Sequence, residues 1–392
     1  MSSKQNAIKK IKSLCYLTLG GSIAYQLIYI KKDFNGYYGK VLEPASQYLN
    51  PELAHKFGVT AIKYGIFPTE SFTDPKILNT KFLDSNLSSP VGIAAGFDKH
   101  GDAVLGLKNI GFSIIEVGSV TPEPQTGNPK PRVFRLPEDK AVINRYGFNS
   151  EGHNEVYKKM QSINKALLDK CLLGINLGKN KLSENAIHDY TIGIKKFYDV
   201  ADYFVINISS PNTPGLRSLQ KKEELLELLT AVNKTRNLLQ SAKRIPLLLK
   251  LAPDLTIEEI KDIVYIITKK ESNVDGLIIS NTTIDKPSLI NKTFPNEAGG
   301  LSGKPLANKS TEMIKIIYKL TKGKIPIIGV GGVFTGQDAY EKIIAGASVI
   351  QIYTALIYHG PPVISKIKSE LAEILEREGY KNVSEAVGKG VK

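Results

Sequence analysis

Tryptophan is absent, cysteine occurs twice and methionine three times in 392 residues. Cys15 and Cys171 stand far apart in apolar settings, which excludes a disulfide framework and a thiolate metal site. Five histidines without H-x-x-x-H or H-E-x-x-H spacing leave no pattern for a zinc enzyme, so no metal is expected. Acidic residues are in deficit: 38 Asp and Glu against 52 Lys and Arg give a net charge of +14. That excess points to anionic partners (nucleic acid, acidic lipid or small anions) without choosing among them. The lysines are scattered and form no long basic run, so nucleic acid is not expected as a partner. What remains, 42% hydrophobic and 23% charged residues, is ordinary for a globular chain of this size. The length suits one large α/β barrel with extensions as well as it suits two domains.

The first 32 residues differ from the rest. Lys4, Lys9, Lys10 and Lys12 precede 18 uncharged residues, Ser13 to Ile30, and Lys31-Lys32 close the stretch before the first acid, Asp33. A membrane span needs about 20 predominantly apolar residues, so the segment is just long enough despite Gly20-Gly21-Ser22 and Gln26. Leu14, Tyr16, Leu17, Leu19, Ile23, Leu27, Ile28 and Ile30 are too apolar for a disordered basic tail. A secretory signal would expose the sequons Asn207-Ile208-Ser209 and Asn281-Thr282-Thr283 to glycosylation. An organelle-targeting sequence with a membrane anchor fits best, as in a mitochondrial protein, although lysine in place of arginine is atypical of transit peptides. Lysines flank both ends, so charge gives no orientation. Asn50 then caps and Pro51 opens a helix whose Leu53, Phe57, Ala61 and Tyr64 form one apolar stripe. The stripe can pack on a core or present an apolar entrance to a bilayer.

From Pro90 onward short β-rich runs alternate with helical ones. The runs are Val91–Ala94, Phe112–Val117, Leu172–Asn176, Tyr203–Ile206, Ile245–Leu251, Gly276–Ser280, Pro326–Val330 and Ser348–Ile352. Lys222–Leu239, Thr256–Lys269 and Lys309–Leu320 read as helices between them. Eight β/α units predict an α/β fold, a (β/α)8 TIM barrel. The alternative, a doubly wound open sheet, lacks a G-x-G-x-x-G after any early strand. The Pro-rich excursion from Thr121 to Asp139 exceeds an ordinary βα loop and suggests a lid or secondary hairpin.

Polar residues follow nearly every run: Gly96-Phe97-Asp98-Lys99, Gly118-Ser119, Asn176-Leu177-Gly178-Lys179, Asn207 to Thr213, Lys250, Ser280-Asn281-Thr282-Thr283, Gly331-Gly332 and Tyr353-Thr354. Each alone is a capped turn as readily as a site. A barrel gathers strand ends at one mouth, where barrel active sites lie. Gly331-Gly332, Gly303 and Tyr353-Thr354 mark the end where barrels hold a phosphate, though Gly-Gly can also be a tight turn. Lys250 is a buried cation that needs an anion. A flavin that gains negative charge on reduction would serve, and so would a carboxylate such as Asp98 or Glu116.

Longer motifs carry a resemblance. They are Pro90-Val91-Gly92-Ile93-Ala94-Ala95-Gly96-Phe97-Asp98-Lys99, Gly118-Ser119-Val120-Thr121-Pro122 and Asn144-Arg145-Tyr146-Gly147-Phe148-Asn149. Next come Asn176-Leu177-Gly178-Lys179-Asn180, Asn207-Ile208-Ser209-Ser210-Pro211-Asn212-Thr213 and Gly299-Gly300-Leu301-Ser302-Gly303-Lys304-Pro305. From about Leu49 to Pro362 the chain resembles class 2 dihydroorotate dehydrogenase, the membrane-bound, FMN-containing, quinone-dependent enzyme of pyrimidine synthesis. The resemblance implies oxidation of dihydroorotate to orotate, with hydride leaving C6 for the flavin and a proton leaving C5 for Ser210. Thr213 and ordered water, shielded by Phe148, are the implied relay, since a hydroxyl is a poor base unless its own proton departs. Cysteine at position 210 would instead mark the soluble class. Flavin positions that match are Ala94, Ala95, Gly96, Ser119, Asn176, Asn207, Lys250, Ser280, Gly303, Gly332, Tyr353 and Thr354.

Substrate positions that match are Lys99, for the carboxylate, with Asn144, Arg145, Tyr146, Gly147, Phe148, Asn207, Asn212, Asn281 and Thr282. His55, Arg135 and Tyr353 match a ubiquinone tunnel, although His55 could be a surface helix residue and Arg135 a salt-bridge partner. Ser280 stands where relatives more often carry Thr, and Ser46 where some have an amide. The implied division is a targeting and inner-membrane anchor segment over 1–32, a helical extension forming the quinone entrance over 33–80, the FMN-binding barrel over 81–378 and a tail over 379–392. Two rivals remain. A tRNA dihydrouridine synthase is another flavin barrel, favoured only by the positive charge. A non-catalytic anchored scaffold is disfavoured by the intact Ser210, Lys250 and asparagine set.

Overall fold

Apolar runs too short for surface helices pair here into a closed ring. The computed structural model describes residues 2–69, 72–239, 244–286, 289–290, 293–294 and 297–391. Its ring strands are β1 Val91–Ile93, β2 Ile114–Val120, β3 Leu172–Leu177, β4 Tyr203–Asn207, β5 Leu247–Leu251, β6 Gly276–Ile279, β7 Ile327–Val330 and β8 Val349–Ile352. Each pairs in parallel with the next, and β8 closes onto β1. The expected (β/α)8 barrel is therefore the fold. Strand ends differ from expectation in one consequential way. β2 runs past Val117 through Gly118 and Ser119, because a register shift between Gly118 and Val120 preserves its pairing with β3. Ser119 and Asn207 are strand residues, not loop residues.

Side chains alternate across each strand, so Ile114 and Glu116, Leu172 and Asn176, Tyr203, Val205 and Asn207, and Leu248 and Lys250 face the interior. The lower half is apolar: Ile114, Leu172, Tyr203, Leu248, Ile278, Ile328 and Val349 pack with Phe82 and Leu87 of a hairpin, Thr80–Phe82 with Ser85–Leu87. The outer layer joins strands to helices Lys222–Leu238, Ile257–Ile267 and Ala307–Thr321 through residues such as Leu228, Val232, Ile263, Ile266, Ile314 and Ile317. Each such side chain contributes about 1.5–3 kcal/mol on burial. Thr256 with Glu259, and Thr335 with Asp338, form capping boxes that start two of the outer helices.

The Pro-rich excursion is a hairpin, Val133–Leu136 against Ala141–Asn144, joined on its far side by Gly300–Gly303. Gly303 ends that strand. Asn50 accepts hydrogen bonds from the N–H groups of Glu52 and Leu53 at 3.1 and 3.2 Å, capping the Pro51–Lys63 helix. Its Leu53, Phe57 and Tyr64 are exposed, Phe57 by 57%, while Ile62 is buried. Residues 379–391 continue past the last long helix into Val383–Ala386, whose Val383 and Ala386 are buried.

Met1–Leu49 and Asn50–Lys392 form two contact units, a boundary that lies inside the expected 33–80 extension. The first holds the helix Ser2–Lys32 and short helical turns from Phe34 to Gln47. Among the described residues one helix is long and apolar enough to cross a membrane, Gln5–Ile30, with mean hydropathy 1.2.

Candidate active site

Five strands build the centre of the mouth. Glu116 on β2 accepts hydrogen bonds from Asn176 Nδ2 at 2.7 Å and Gln351 Nε2 at 2.8 Å, and from Lys250 Nζ at 3.3 Å. With its amide nitrogen committed below, Asn176 turns Oδ1 toward Ser119, whose hydroxyl donates to it, and toward Asn207 Nδ2 at 3.3 Å. Asn207 Nδ2 also donates to Ser119 Oγ at 2.8 Å. Its Oδ1 accepts from Ser209 Oγ at 3.0 Å and Asn281 Nδ2 at 3.3 Å, and its carbonyl from Tyr190 OH at 2.8 Å. Asn281 Nδ2 reaches Ser209 Oγ at 2.9 Å, and Asn281 Oδ1 takes the N–H of Thr282 at 2.8 Å. Residues from β2, β3, β4, β5 and the loop after β6 thus form one connected polar surface.

Ser210 follows on the β4 loop, buried, its Oγ accepting the Asn212 N–H at 3.3 Å. Thr213 is buried too, and its Oγ1 has no hydrogen-bond partner among the described residues. Asn212 Nδ2 donates to Asn144 O at 3.1 Å, which fastens this loop to the hairpin. Phe148 sits at φ 55° with its ring over Gly178, where a β-carbon would lie 2.9 Å away. Lys99 donates to Gly96 O and places its ammonium 4.0 Å from the centroid of the Tyr146 ring. Burial, and then the Arg132 guanidinium, push the Lys99 ammonium down to about 7.

A second group gathers where the Pro51–Lys63 helix meets the barrel. His55, Phe97 and Tyr353 form an aromatic triangle, with the His55 ring 5.1 Å from Phe97 and 6.5 Å from Tyr353. Burial, and then the Lys99 charge, hold the imidazole down at about 3, so it is neutral at physiological pH. Tyr353 OH donates to Gly96 O at 3.2 Å, so this triangle and Lys99 share one carbonyl. Burial also lowers Arg135 from its usual value, on the neighbouring hairpin strand.

The model of a family described as dihydroorotate dehydrogenase matches residues 77–375. The chain belongs to that family. It is 49% identical over 374 residues to the mouse (Mus musculus) protein named dihydroorotate dehydrogenase (quinone), mitochondrial, with 94% of each chain covered. It is 45% identical to the dihydroorotate dehydrogenase (quinone) of Xanthobacter autotrophicus, over 90% of this chain and 99% of that one. The crystal structure of the Eimeria tenella dihydroorotate dehydrogenase in complex with ferulenol superposes with a TM-score of 0.83 at 42% identity, covering 86% of this chain and 95% of that one. The motif resemblance to the quinone-dependent class is borne out.

Dihydroorotate dehydrogenases are flavin-dependent as a family, and the residues here suit such a group. Lys250, 4% exposed, gives one hydrogen bond to Glu116 and no other among the described residues, so two of its three donors remain for a ligand. At the other end of the mouth Gly332, at φ 72°, packs directly on the first residue of the Ala307–Thr321 helix, where a β-carbon would lie 2.5 Å from Ala307. That helix starts at Leu306 without a capping side chain, unlike the two with capping boxes, and continues from the 3-10 turn Lys304–Leu306, whose Lys304 carbonyl takes the Ala307 N–H. Thr354 donates to Ser302 Oγ at 2.9 Å beside it. Gly303, at φ 99°, has the Lys140 carbonyl where its β-carbon would be. Ala94 and Ser280 are buried next to these ends, with Ala95 and Gly96 half-buried.

Not every expected residue joins the network. The Arg145 guanidinium pairs with Glu297 at 2.5 Å and donates to Pro131 O and Ala298 O, so it holds the hairpin to the following segment. Gly147, at φ 70°, serves the turn between Tyr146 and Phe148. The pairing of Lys250 with Glu116, weighed against a flavin role, is present and leaves donors to spare. Tyr190, Gln351 and Arg132 were missed: Arg132 pairs with Glu52 at 2.7 Å and lies 5.1 Å from the Tyr146 centroid. Period-two alternation puts Gln351 in line with the barrel interior, a signal available in the β8 run. Among the described residues no group of His, Cys, Asp or Glu could hold a metal ion.

Proposed function

We propose that this chain oxidises dihydroorotate to orotate with FMN and returns the electrons to ubiquinone from a mitochondrial inner-membrane anchor. The observation that carries it is the single polar surface joining Lys250, Asn176, Ser119, Asn207 and Asn281, with Ser210 on the same loop as Asn207. When bound, the flavin supplies the acceptor for the hydride leaving C6 and the store for two electrons passed to a quinone. The chain's own residues do the rest. Lys99 meets the substrate carboxylate as an ammonium. The amides of Asn144, Asn207, Asn212 and Asn281 offer paired donors and acceptors to a cyclic ureide. Ser210 Oγ takes the C5 proton as its own proton departs toward Thr213, whose buried hydroxyl has no hydrogen-bond partner among the described residues.

The His55, Phe97 and Tyr353 rings supply an apolar wall for a quinone, and the exposed Leu53 and Phe57 suit a lipid-facing entrance. The Ser2–Lys32 helix, by its length and composition, is the anchor, and the mitochondrial name of the mouse relative supports the compartment.

Anaerobic titration tests the reading. Purified protein is expected to be yellow, to bleach with one equivalent of dihydroorotate and to recolour when a quinone is added. Ser210→Ala should still bind orotate but bleach at least about a hundredfold more slowly at neutral pH, the range expected when a general base is lost. Bleaching at the unsubstituted rate would remove Ser210 from that role.

A further inference from the structure

We propose that Glu116 is a positioning residue for Lys250, a counter-charge inside the barrel that keeps the lysine protonated whatever the charge at the mouth. This deepens the flavin reading and rests on it. Glu116 is 0% exposed, and its two oxygens meet partners from three other strands: Lys250 on β5, Asn176 on β3 and Gln351 on β8. A carboxylate inside a barrel is stable as an anion only when it is paired and hydrogen-bonded, and all three partners are donors. Both side chains of the pair are buried, level with Tyr203 and next to the apolar floor, so solvent screens them little. The groups facing the lysine are therefore few. Among the described residues Glu116 is its one ion-pair partner, Asn176 and Gln351 are neutral amides on the same carboxylate, and Asn207 is its register partner. The Tyr203 phenol is held neutral by burial and by Glu116.

Two consequences follow from this wiring. The carboxylate dictates which way the Asn176 amide points, and through it the Ser119 and Asn207 contacts above. It also compensates the lysine before negative charge arrives at the mouth with two electrons. Burial disfavours an interior ammonium that has been stripped of its counter-charge. Without Glu116, each two-electron reduction would then take up one extra proton at the Lys250 amine.

The test is the midpoint potential of the flavin, measured against a reference dye from pH 6 to 9, in the full chain and in Glu116→Gln, Lys250→Met and the double variant. Glu116→Gln is expected to add a tenfold change in the reduction equilibrium per pH unit, about 30 mV for a two-electron couple. Lys250→Met should not add it, and neither should the double variant, because the titrating amine is gone. Glu116→Asp, which keeps the charge but withdraws it by one methylene, is the second variant and should add part of the slope. In whichever of Glu116→Gln or Glu116→Asp retains flavin, a slope equal to the unsubstituted protein overturns the proposal. So does an added slope in the double variant. A colourless unsubstituted protein would overturn the flavin reading and this inference together; a yellow one with no added slope in its variants overturns the inference alone.

Discussion

Lys99 shows how much of a residue's chemistry its neighbours decide. Its ammonium rests on the Tyr146 ring and shares the Gly96 carbonyl with Tyr353, and burial followed by the Arg132 charge lowers it to about 7. The sign is that of a depressed lysine: protonated below about pH 7, neutral above it in the unliganded protein. A substrate carboxylate bound to it, as proposed, must then recruit a proton with itself above that point. The KM for dihydroorotate is expected to rise about tenfold per pH unit above 7, by proton linkage, and Lys99→Met should flatten that limb. Initial rates from pH 6 to 9 check it. His55, down at about 3, adds no titration beside Phe97 and Tyr353 between pH 5 and 8. Lys99 was legible as a motif residue. Its shifted proton affinity was not, because Arg132 and Tyr146 come from a distant stretch of chain.

Among elements, the Pro51–Lys63 helix and the hairpin excursion depend on each other. Asn50 and Pro51 announce the helix start in the sequence, and the cap is where they put it. Nothing in the periodicity announces that Glu52 receives a two-pronged bond from Arg132, at 3.2 and 2.7 Å, across 80 residues of chain. Although burial raises Glu52, the hydrogen bonds and charges of Arg132 and Lys130 together outweigh it and hold the carboxyl below its usual range. Arg132 also donates to Thr126 O and Asn128 O, so it ties the excursion to itself and to the helix. Breaking such a pair leaves a part-buried carboxylate, and Arg132→Met is expected to destabilise the barrel by about 3 kcal/mol. Thermal unfolding followed by circular dichroism measures it; a change within about 0.5 kcal/mol, that of an ordinary surface substitution, would show the pair to be incidental. The strand Gly300–Gly303 was hidden for a related reason. It is glycine-rich, and only the edge of the hairpin makes it a strand.

For the whole molecule, the two contact units predict separable roles. Removing residues 1–32 is expected to release the protein from membranes while leaving bleaching by dihydroorotate intact. Fractionation of cells expressing each form, with the anaerobic titration on both, reads the two effects separately; a full-length chain found soluble would refute the anchor. The sequence by itself determined the barrel and the identity of the mouth. Eight apolar runs of strand length, each ending in polar residues, have one way to bury both faces and pair every edge. Local order also set the caps and the apolar first helix. Tertiary structure alone decided that Glu116 lies beneath Lys250, that Asn176 turns its amide down, and that Arg145 faces outward. Those choices depend on which side chains meet across a closed ring, and strand register, unlike periodicity, is settled only when the ring shuts.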